Sequence, residues 1–335
     1  MTGPNRSASA ARETVTMTGQ RHLRVASAAS VARDVRALRL EDPTGAPLPA
    51  WTPGSHIDLV LPSLRVRQYS LCGPVEDRTG FTIAVLRVAG GRGGSAEIHD
   101  SDLVGSDLLV RGPRNMFPVV EAPFHLLLAG GIGITPLITM ARFLAHGQQP
   151  WSLIYGARSL DRMLFREELG ELGRAADVRC VAQDVAGLPD LAGAVARAPD
   201  GAAIYCCGPE PMLNLAAEVC VQQAGRVILY TERFGPDSPV VTGEVEDRPF
   251  ELELARTGVQ ITVPAGTTAL EAVLEVVPDH PYACQGGQCG TCEVAVLRGE
   301  VDHRDEIQSD AERLANRSMF LCVSRARSAS VVIDL

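Results

Sequence analysis

Four cysteines in the last part of the chain have a spacing that could hold an inorganic cluster. Cys284, Cys289 and Cys292 lie within nine residues, and Cys322 follows after twenty-nine more. Four thiolates in this C-x4-C-x2-C…C spacing bind one class of 2Fe–2S cluster. Glycines at 286, 287 and 290 favour a tight loop, because glycine adopts positive φ angles without strain. Structural zinc is the alternative, but zinc sites favour paired C-x2-C units and only one occurs here. The spacing therefore predicts one-electron chemistry.

A second motif combines a cation with an aromatic ring on a predicted strand. In Arg67-Gln68-Tyr69-Ser70, side chains two positions apart share a face, so Arg67 and Tyr69 point the same way. An arginine binds phosphate, a flat ring stacks on a second ring, and Ser70 offers a hydroxyl group. The motif indicates a site for a phosphorylated aromatic cofactor; a surface arginine beside a core tyrosine is the alternative.

A glycine-rich segment over residues 90–95 could cradle the phosphate. It contains Gly94 and Ser95 and precedes a predicted helical turn. Glycines expose backbone N–H groups, and the N-terminus of a helix adds a favourable dipole. A flexible hairpin tip is the alternative.

Another glycine-rich turn, at residues 130–136, connects an apolar strand to a predicted helix. Gly131 and Gly133 would let the backbone approach a pyrophosphate, and Thr135 opens the helix. The segment does not match the G-x-G-x-x-G fingerprint of dinucleotide-binding folds. Tight packing of the strand against the helix is the alternative.

A short segment, Cys207-Gly208-Pro209, ends a second buried strand of the same predicted sheet. Ligands of parallel sheets bind at the carboxyl ends of the strands. A small polarisable side chain such as that of Cys207 could lie beside a nicotinamide ring, and an inert buried cysteine is the alternative.

The elements that must position these residues fall into three groups. Short apolar runs between residues 22 and 119, separated by glycine and proline, predict an antiparallel β-barrel. Strands and helices alternate from about 124 to 230, which predicts a parallel α/β sheet. A compact α+β unit follows residue 249. We therefore predict a multidomain chain, divided into a disordered tail (1–20), the barrel (21–121), the α/β domain (122–231), a linker (232–247) and the cluster domain (248–335).

Composition narrows the functional classes. No run of eighteen apolar residues occurs, so no membrane span is expected, and the polar first twenty residues do not resemble a secretory signal. Nine cysteines without export favour a reducing cytoplasm and use in metal binding or catalysis.

Charge is distributed unevenly along the chain. Residues 231–335 contain 18 acidic residues and 9 arginines, so the whole net charge of −9 lies in this last third. Nucleic acid is therefore not an expected partner. The acidic third could be attracted to a basic protein surface, or it could simply be a solvated face.

Together these motifs resemble one family, the phthalate dioxygenase reductase group, which includes vanillate demethylase reductase subunits. It belongs to the wider ferredoxin–NADP⁺ reductase superfamily. The resemblance covers nearly all of residues 22–335 and rests on Trp51–His56, Arg67–Leu71, Gly91–Ser95, Gly112–Phe117, Gly130–Pro136, Tyr155-Gly156, Cys207–Pro209 and the four cysteines.

The resemblance implies an FMN-binding barrel, an NAD(H)-binding α/β domain and a plant-type ferredoxin domain of the β-grasp fold. It implies that Arg67 and Ser95 hold the FMN phosphate, that Tyr69 packs on the isoalloxazine and that Ser70 lies near N5. Thr135 and Cys207 would line the nicotinamide site. Ser70, Thr135 and Cys207 are thus the implied catalytic residues. Further implied contacts to the cofactors are Gln68, Gly94, Gly131, Gly133, Gly208, Pro209 and Phe234, with Glu232 also near the flavin.

The implied function is that of a monomeric, NADH-dependent reductase that feeds a separate Rieske-type oxygenase acting on an aromatic or related small substrate. A hydride carries two electrons and a 2Fe–2S cluster accepts one, so a flavin must stand between them. Two alternatives stay open: an FAD-containing reductase for another monooxygenase or acceptor, and a redox-sensing module without turnover. Use of NADPH also stays open, because Arg158 and Arg162 follow a strand near the expected ribose.

We expect Cys289→Ser to abolish cluster assembly while flavin binding survives, because the cluster domain is predicted to fold behind a linker. NADH should still bleach the flavin absorbance of this variant, and one-electron reduction of an acceptor protein should fail. Loss of the flavin together with the cluster would contradict a modular chain.

Overall fold

The computed structural model describes residues 20–90, 93–173, 177–234, 247–278, 280–282, 285–287, 290–305 and 307–335. Two of the four predicted cluster ligands, Cys284 and Cys289, lie outside these residues. So do residues 1–19 of the predicted N-terminal tail, residues 91 and 92 of the first glycine-rich segment, and residues 235–246 of the predicted linker.

The first unit is an antiparallel barrel whose sheet has the order β4-β3-β6-β1-β2-β5. A bridge between Leu71 and Ile83 joins the two edges of this sheet and closes it. Its elements are β1 (Gln20–Ala32), β2 (Val35–Glu41), β3 (Ser55–Val60), β4 (Val66–Ser70), β5 (Gly80–Leu86), α1 (Gly94–Asp100) and β6 (Asp107–Asn115).

Alternation of side chains creates the barrel core. In β2, Val35, Leu38 and Leu40 are buried, while the residues between them remain partly accessible. Leu38 and Leu40 pack with apolar side chains from the other strands, including Ile57 and Phe81, whereas Val35 packs with side chains of the parallel-sheet domain. Burying one face of each strand is what drives the sheet to close on itself.

The second unit is a parallel sheet of order β11-β10-β7-β8-β9, flanked by helices. Its elements are β7 (His125–Gly130), α2 (Ile134–His146), β8 (Trp151–Ala157), α3 (Arg166–Leu172), β9 (Asp177–Ala182), α4 (Gln183–Ala186), α5 (Leu191–Arg197), β10 (Ala202–Cys207), α6 (Glu210–Gln222) and β11 (Val227–Glu232).

The order of this sheet reverses between β7 and β10. The chain runs outward from β7 to β8 and β9, then returns to add β10 and β11 on the other side. Every residue of β7 and β10 is buried, because helices cover both faces of the sheet. The carboxyl ends of β7 and β10 therefore form the switch point where such sheets bind ligands.

The third unit is a small α+β domain whose main sheet has the order β13-β12-β18-β14-β16. A capping box between Thr268 and Glu271 begins its helix α7. Its elements are β12 (Phe250–Leu254), β13 (Val259–Val263), α7 (Ala269–Val276), β14 (Glu293–Arg298), β15 (Val301–Asp302), α8 (Asp310–Ala315), β16 (Ser318–Phe320), β17 (Arg325–Ala326) and β18 (Ser330–Ile333).

These three units confirm the predicted fold class: an antiparallel barrel, a parallel α/β sheet and a β-grasp domain in one chain. Among the described helices, none combines the length and apolar character that a membrane span requires.

Candidate functional site

A cleft opens where the three units meet. Strands β4 and β5 and the start of α1 form one wall, and the parallel-sheet domain contributes the other. Gln285 of the cluster loop also lines the cleft. The structure thus brings together eight of the residues predicted from the sequence, namely Arg67, Gln68, Tyr69, Ser70, Gly94, Ser95, Thr135 and Phe234.

Arg67 and the start of α1 form the cationic end of the cleft. A Cβ atom at Gly94 would lie 2.7 Å from the Arg67 side chain, so only glycine allows this approach. Ser95 Oγ accepts a hydrogen bond from the backbone N–H of Val88 at 3.1 Å, which holds the helix start against the strand end. Arg67 Nη1 also donates to Glu271 of α7 at 2.9 Å. This end suits a phosphate group.

Apolar side chains of one strand form part of the wall between the two ends of the cleft. Ala84, Val85 and Leu86 of β5 line it together with the ring of Tyr69. At the cluster side, Gln285 Nε2 is buried and has no hydrogen-bond partner within the described residues. An apolar slot with a cation at one end and an unpartnered amide donor fits a flat, phosphorylated ring system.

The inner end of the cleft contains Ser70 and Glu232, and Cys207 lies beside Glu232 just behind the cleft wall. Cys207 and Glu232 are register partners on neighbouring parallel strands, and Ser70 ends β4 opposite them. Ser70 Oγ donates to Glu232 Oε2 at 3.5 Å. Two strand ends of the sheet and one of the barrel therefore converge on the same point.

Burial raises the pKa of Glu232 to about 8, and the bond from Ser70 opposes this only in part. The residue is reached from the cleft, but its carboxyl group lies deep among protein atoms, and we ascribe the shift to that depth. Glu232 therefore holds a proton at pH 7. Burial raises the pKa of the Cys207 thiol well above its usual range, and the nearby Glu232 charge adds to this. Cys207 is thus a neutral thiol.

The glycine turns of the parallel sheet lie behind the cleft wall. A Cβ atom at Gly208 would come within 2.9 Å of the Gly130 Cα, and one at Gly133 would collide with the Cys207 backbone. Close packing of the two turns therefore explains Gly133 and Gly208. Neither they nor Gly131, Cys207 and Pro209 are among the residues that line the cleft, although all five lie at the switch point. Their contact with a nucleotide stays a prediction.

Thr135 sits in the first turn of α2 and is almost entirely buried. Its hydroxyl donates to the Ile132 carbonyl oxygen at 3.0 Å, and both residues reach the cleft. The glycine turn that precedes α2 therefore holds the Thr135 side chain in place.

The cluster loop meets the requirements of a 2Fe–2S site where it is described. Cys292 and Cys322 are both buried. Gly287 and Gly290 adopt φ angles of 73° and 76°, as the sequence predicted, and a side chain at Gly287 would press on Val323 and Asp305. These thiols and the tight backbone fit a cluster enclosed by protein.

Sequence reasoning gave Glu232 only a loose place near the flavin and did not identify Gln285 or His56. Glu232 lies at the carboxyl end of a parallel strand, where ligands bind, so its position could have predicted a place in the site. Gln285 and His56 stand inside recognised motifs, but nothing in their spacing shows that they face a cleft.

Two family models match the chain. Residues 252–327 match the 2Fe-2S iron-sulfur cluster binding domain, and residues 127–218 match the oxidoreductase NAD-binding domain. The predicted cluster and nicotinamide cofactors, and the assignment as an oxidoreductase, are thereby confirmed.

Similar proteins cover nearly the whole chain. The tetrachlorobenzoquinone reductase of Sphingobium chlorophenolicum is 38% identical over 91% of this chain and 95% of its own. The phenoxybenzoate dioxygenase subunit beta of Ectopseudomonas oleovorans is 40% identical over 93% and 97%. A solved structure of phthalate dioxygenase reductase, described as modular for electron transfer from pyridine nucleotides to [2Fe-2S], superimposes with a TM-score of 0.80. It is 35% identical and covers 95% of this chain and 98% of its own.

We expect Arg67→Ala to weaken flavin binding roughly ten- to a hundredfold, because a charge-assisted hydrogen bond contributes about 1.5–3 kcal/mol. The flavin-to-protein ratio after extensive dialysis measures this loss. Glu271→Gln is the matched control, since it keeps both the Arg67 guanidinium and the capping box and should retain flavin. An unchanged ratio in the Arg67 variant would remove that residue from the site.

We expect the rate of flavin reduction by NADH to fall as pH rises through about 8. Above that pH Glu232 ionises, and its negative charge opposes the arrival of a hydride in the cleft. Glu232→Gln cannot titrate, so its stopped-flow rate should be flat across this range. The free energy of unfolding should also fall as pH rises from about 4.5 to 8. Over this range the folded chain keeps the Glu232 proton, whereas the unfolded chain releases it. Identical pH profiles for both proteins would contradict the assignment.

Proposed function

The chain belongs to the phthalate dioxygenase reductase family, and we propose that it is an NADH-dependent reductase component. In this role it passes electrons through FMN and a 2Fe–2S cluster to a separate oxygenase. The observation that carries the proposal is the cleft at which the barrel, the nucleotide domain and the cluster loop meet. Electron transfer requires the nicotinamide, the flavin and the cluster to lie close together, and the three units that would hold them meet at this cleft.

FMN is the flavin that fits the cleft. A flavin bound here takes up two electrons as a hydride and releases them singly. The ferredoxin domain lies directly behind Arg67, because Glu271 bonds the far side of its guanidinium at 2.9 Å. That arrangement favours a flavin that ends in one phosphate over one extended by an adenylate.

Each residue of the cleft then has a task that its chemistry suits. Arg67 and Ser95 bind the phosphate, and Tyr69 packs on the ring. Ser70, bonded to a protonated Glu232, presents a hydroxyl at the reactive edge. Thr135 and Cys207, both buried and neutral, shape the nicotinamide site and exclude water from it.

The partner we propose is a Rieske-type oxygenase that acts on an aromatic or related small molecule. Relatives named as subunits of phenoxybenzoate dioxygenase and of toluene-4-sulfonate monooxygenase systems support this choice. We also propose a cytoplasmic monomer, since all three cofactor sites are supplied by one chain and the free cysteines suit a reducing compartment.

A quinone is the second candidate acceptor. It is favoured by one relative, the tetrachlorobenzoquinone reductase, at 38% identity over nearly the full length. A flavin could reduce a quinone directly, so a variant without the cluster should keep quinone reduction and lose reduction of an oxygenase.

Purified protein tests the function directly. Chromatography of the acid-released flavin should identify FMN, and NADH should sustain reduction of cytochrome c over many turnovers. A single stoichiometric reduction would instead indicate a redox-sensing module, and a bound FAD would remove the FMN assignment.

We expect the second-order rate of oxygenase reduction to fall as ionic strength rises. The acidic last third of the chain would attract a basic surface, and salt screens such attraction within about 8 Å at physiological strength. The internal steps from NADH to flavin and to cluster should change much less, and stopped-flow spectra separate them. A rate that is flat or rises with salt would show that the acidic third is only a solvated face.

A further inference from the structure

One tyrosine of the ferredoxin domain packs against the outer surface of the barrel. Tyr282 belongs to the ferredoxin domain, lies just before the cluster loop and is buried. Arg111 of β6 donates to its hydroxyl at 2.6 Å. The guanidinium carbons of Arg111 and Arg114 lie 5.7 and 5.4 Å from the centre of its ring, within the range of a cation–π contact.

The barrel surface under this ring is a row of polar side chains. Asp58 on β3 is the register partner of Gln68 on β4 and of Arg111 on β6, so the three stand side by side across neighbouring strands. Gln68 Nε2 donates to Asp58 at 3.2 Å, and Arg114 donates to Asp58 at 2.6 Å. Burial raises the pKa of Tyr282, and the nearby Asp58 adds to this.

The polar groups that contact Tyr282 are buried, so their energy depends strongly on where their partners lie. Asp58 is fully buried and Arg111 is 6% exposed. Buried charges are tolerated only while their partners stay in place, and removing one partner leaves the other unpaired. Tyr282 therefore has one well-defined position on the row, which a purely apolar contact would not impose.

The row continues into the flavin cleft. Gln68 lines that cleft at one end of the row, and Gln285, three residues after Tyr282, lines it as well. An apolar seam supports the same contact, since Val66 of β4 belongs to the core cluster that contains Tyr282. The anchored tyrosine and the described loop residue that follows it are thus both tied to the wall of the cleft.

We propose that Tyr282 is a positioning residue that sets the distance between the flavin and the cluster, and hence the rate at which single electrons pass from one to the other. This rests on the proposed function. In each step one electron leaves the reduced flavin and reduces the oxidised cluster by one; Tyr282 makes no bond and gains no electron. It acts by holding the cluster loop against the barrel.

Two substitutions separate the contributions of the ring and the hydroxyl. Tyr282→Phe keeps the ring between the two arginines, whereas Tyr282→Ala removes both contacts. We expect flavin-to-cluster transfer, followed by stopped-flow absorbance, to slow at least about tenfold in the alanine variant and less in the phenylalanine variant. Reduction of the flavin by NADH should stay within about twofold of wild type in both.

A measurement that does not depend on turnover tests the docking itself. Hydrogen exchange of β3 and β6 in the holoprotein should speed up in the alanine variant, because the row loses its cover. Arg111→Gln should reproduce both effects. Its matched control is Arg24→Gln, which removes an exposed ion pair between Arg24 of β1 and Asp107 of β6. This control should change neither the transfer rate nor the hydrogen exchange.

The outcomes distinguish the inference from the function. If NADH fails to reduce the flavin of the wild type, the proposed function is wrong. If wild type works and Tyr282→Ala transfers electrons to the cluster at the wild-type rate, Tyr282 does not set that distance. Should the alanine variant not retain its cluster, Tyr282→Phe and Arg111→Gln decide, and wild-type rates and exchange in both would overturn the proposal.

Discussion

Strand β4 is the constraint on which the rest of the structure depends, because each of its five residues meets a different neighbour. Val66 packs into the ferredoxin core, and Arg67 bonds Glu271 beside the phosphate end of the cleft. Gln68 holds Asp58, Tyr69 lines the cleft, and Ser70 reaches Glu232 of the nucleotide domain. A shift of one residue in the register with β3 would turn these side chains to the wrong faces. One short strand thus sets the mutual position of three domains.

Asp58 and Glu232 are both carboxyl groups in a low-polarity environment, but their hydrogen-bond partners differ and so do their roles. Asp58 lies beside Arg114 and Gln68, and such partners stabilise a charge in the interior. Glu232 has the Ser70 hydroxyl beside it, which is too weak to offset burial, so its pKa rises to about 8. The first group serves structure as part of a charged anchor. The second is neutral at pH 7 and lies beside Ser70 at the inner end of the cleft.

Local patterns were sufficient for most of the fold. Alternating strands and apolar parallel strands are each encoded within a few residues, and the structure contains both, as predicted. Most of strand β1 has no such pattern, because residues 26–32 are rich in alanine and serine and show no apolar alternation. Its burial is confined to two residues, Leu23 and Val25, so the usual signal is nearly absent.

The anchor around Tyr282 could not be predicted in this way. Tyr282 and Arg111 are separated by 171 residues, and neither belongs to a motif with a recognised spacing. The raised pKa of Glu232 is likewise a consequence of depth, which no local pattern encodes. Domain contacts built from buried polar pairs are specific without being strongly stabilising, since much of the electrostatic gain offsets the cost of desolvation. Such contacts suit a reductase of this kind, because the ferredoxin domain must occupy one position at the flavin and yet remain a separate unit whose surface a partner can reach.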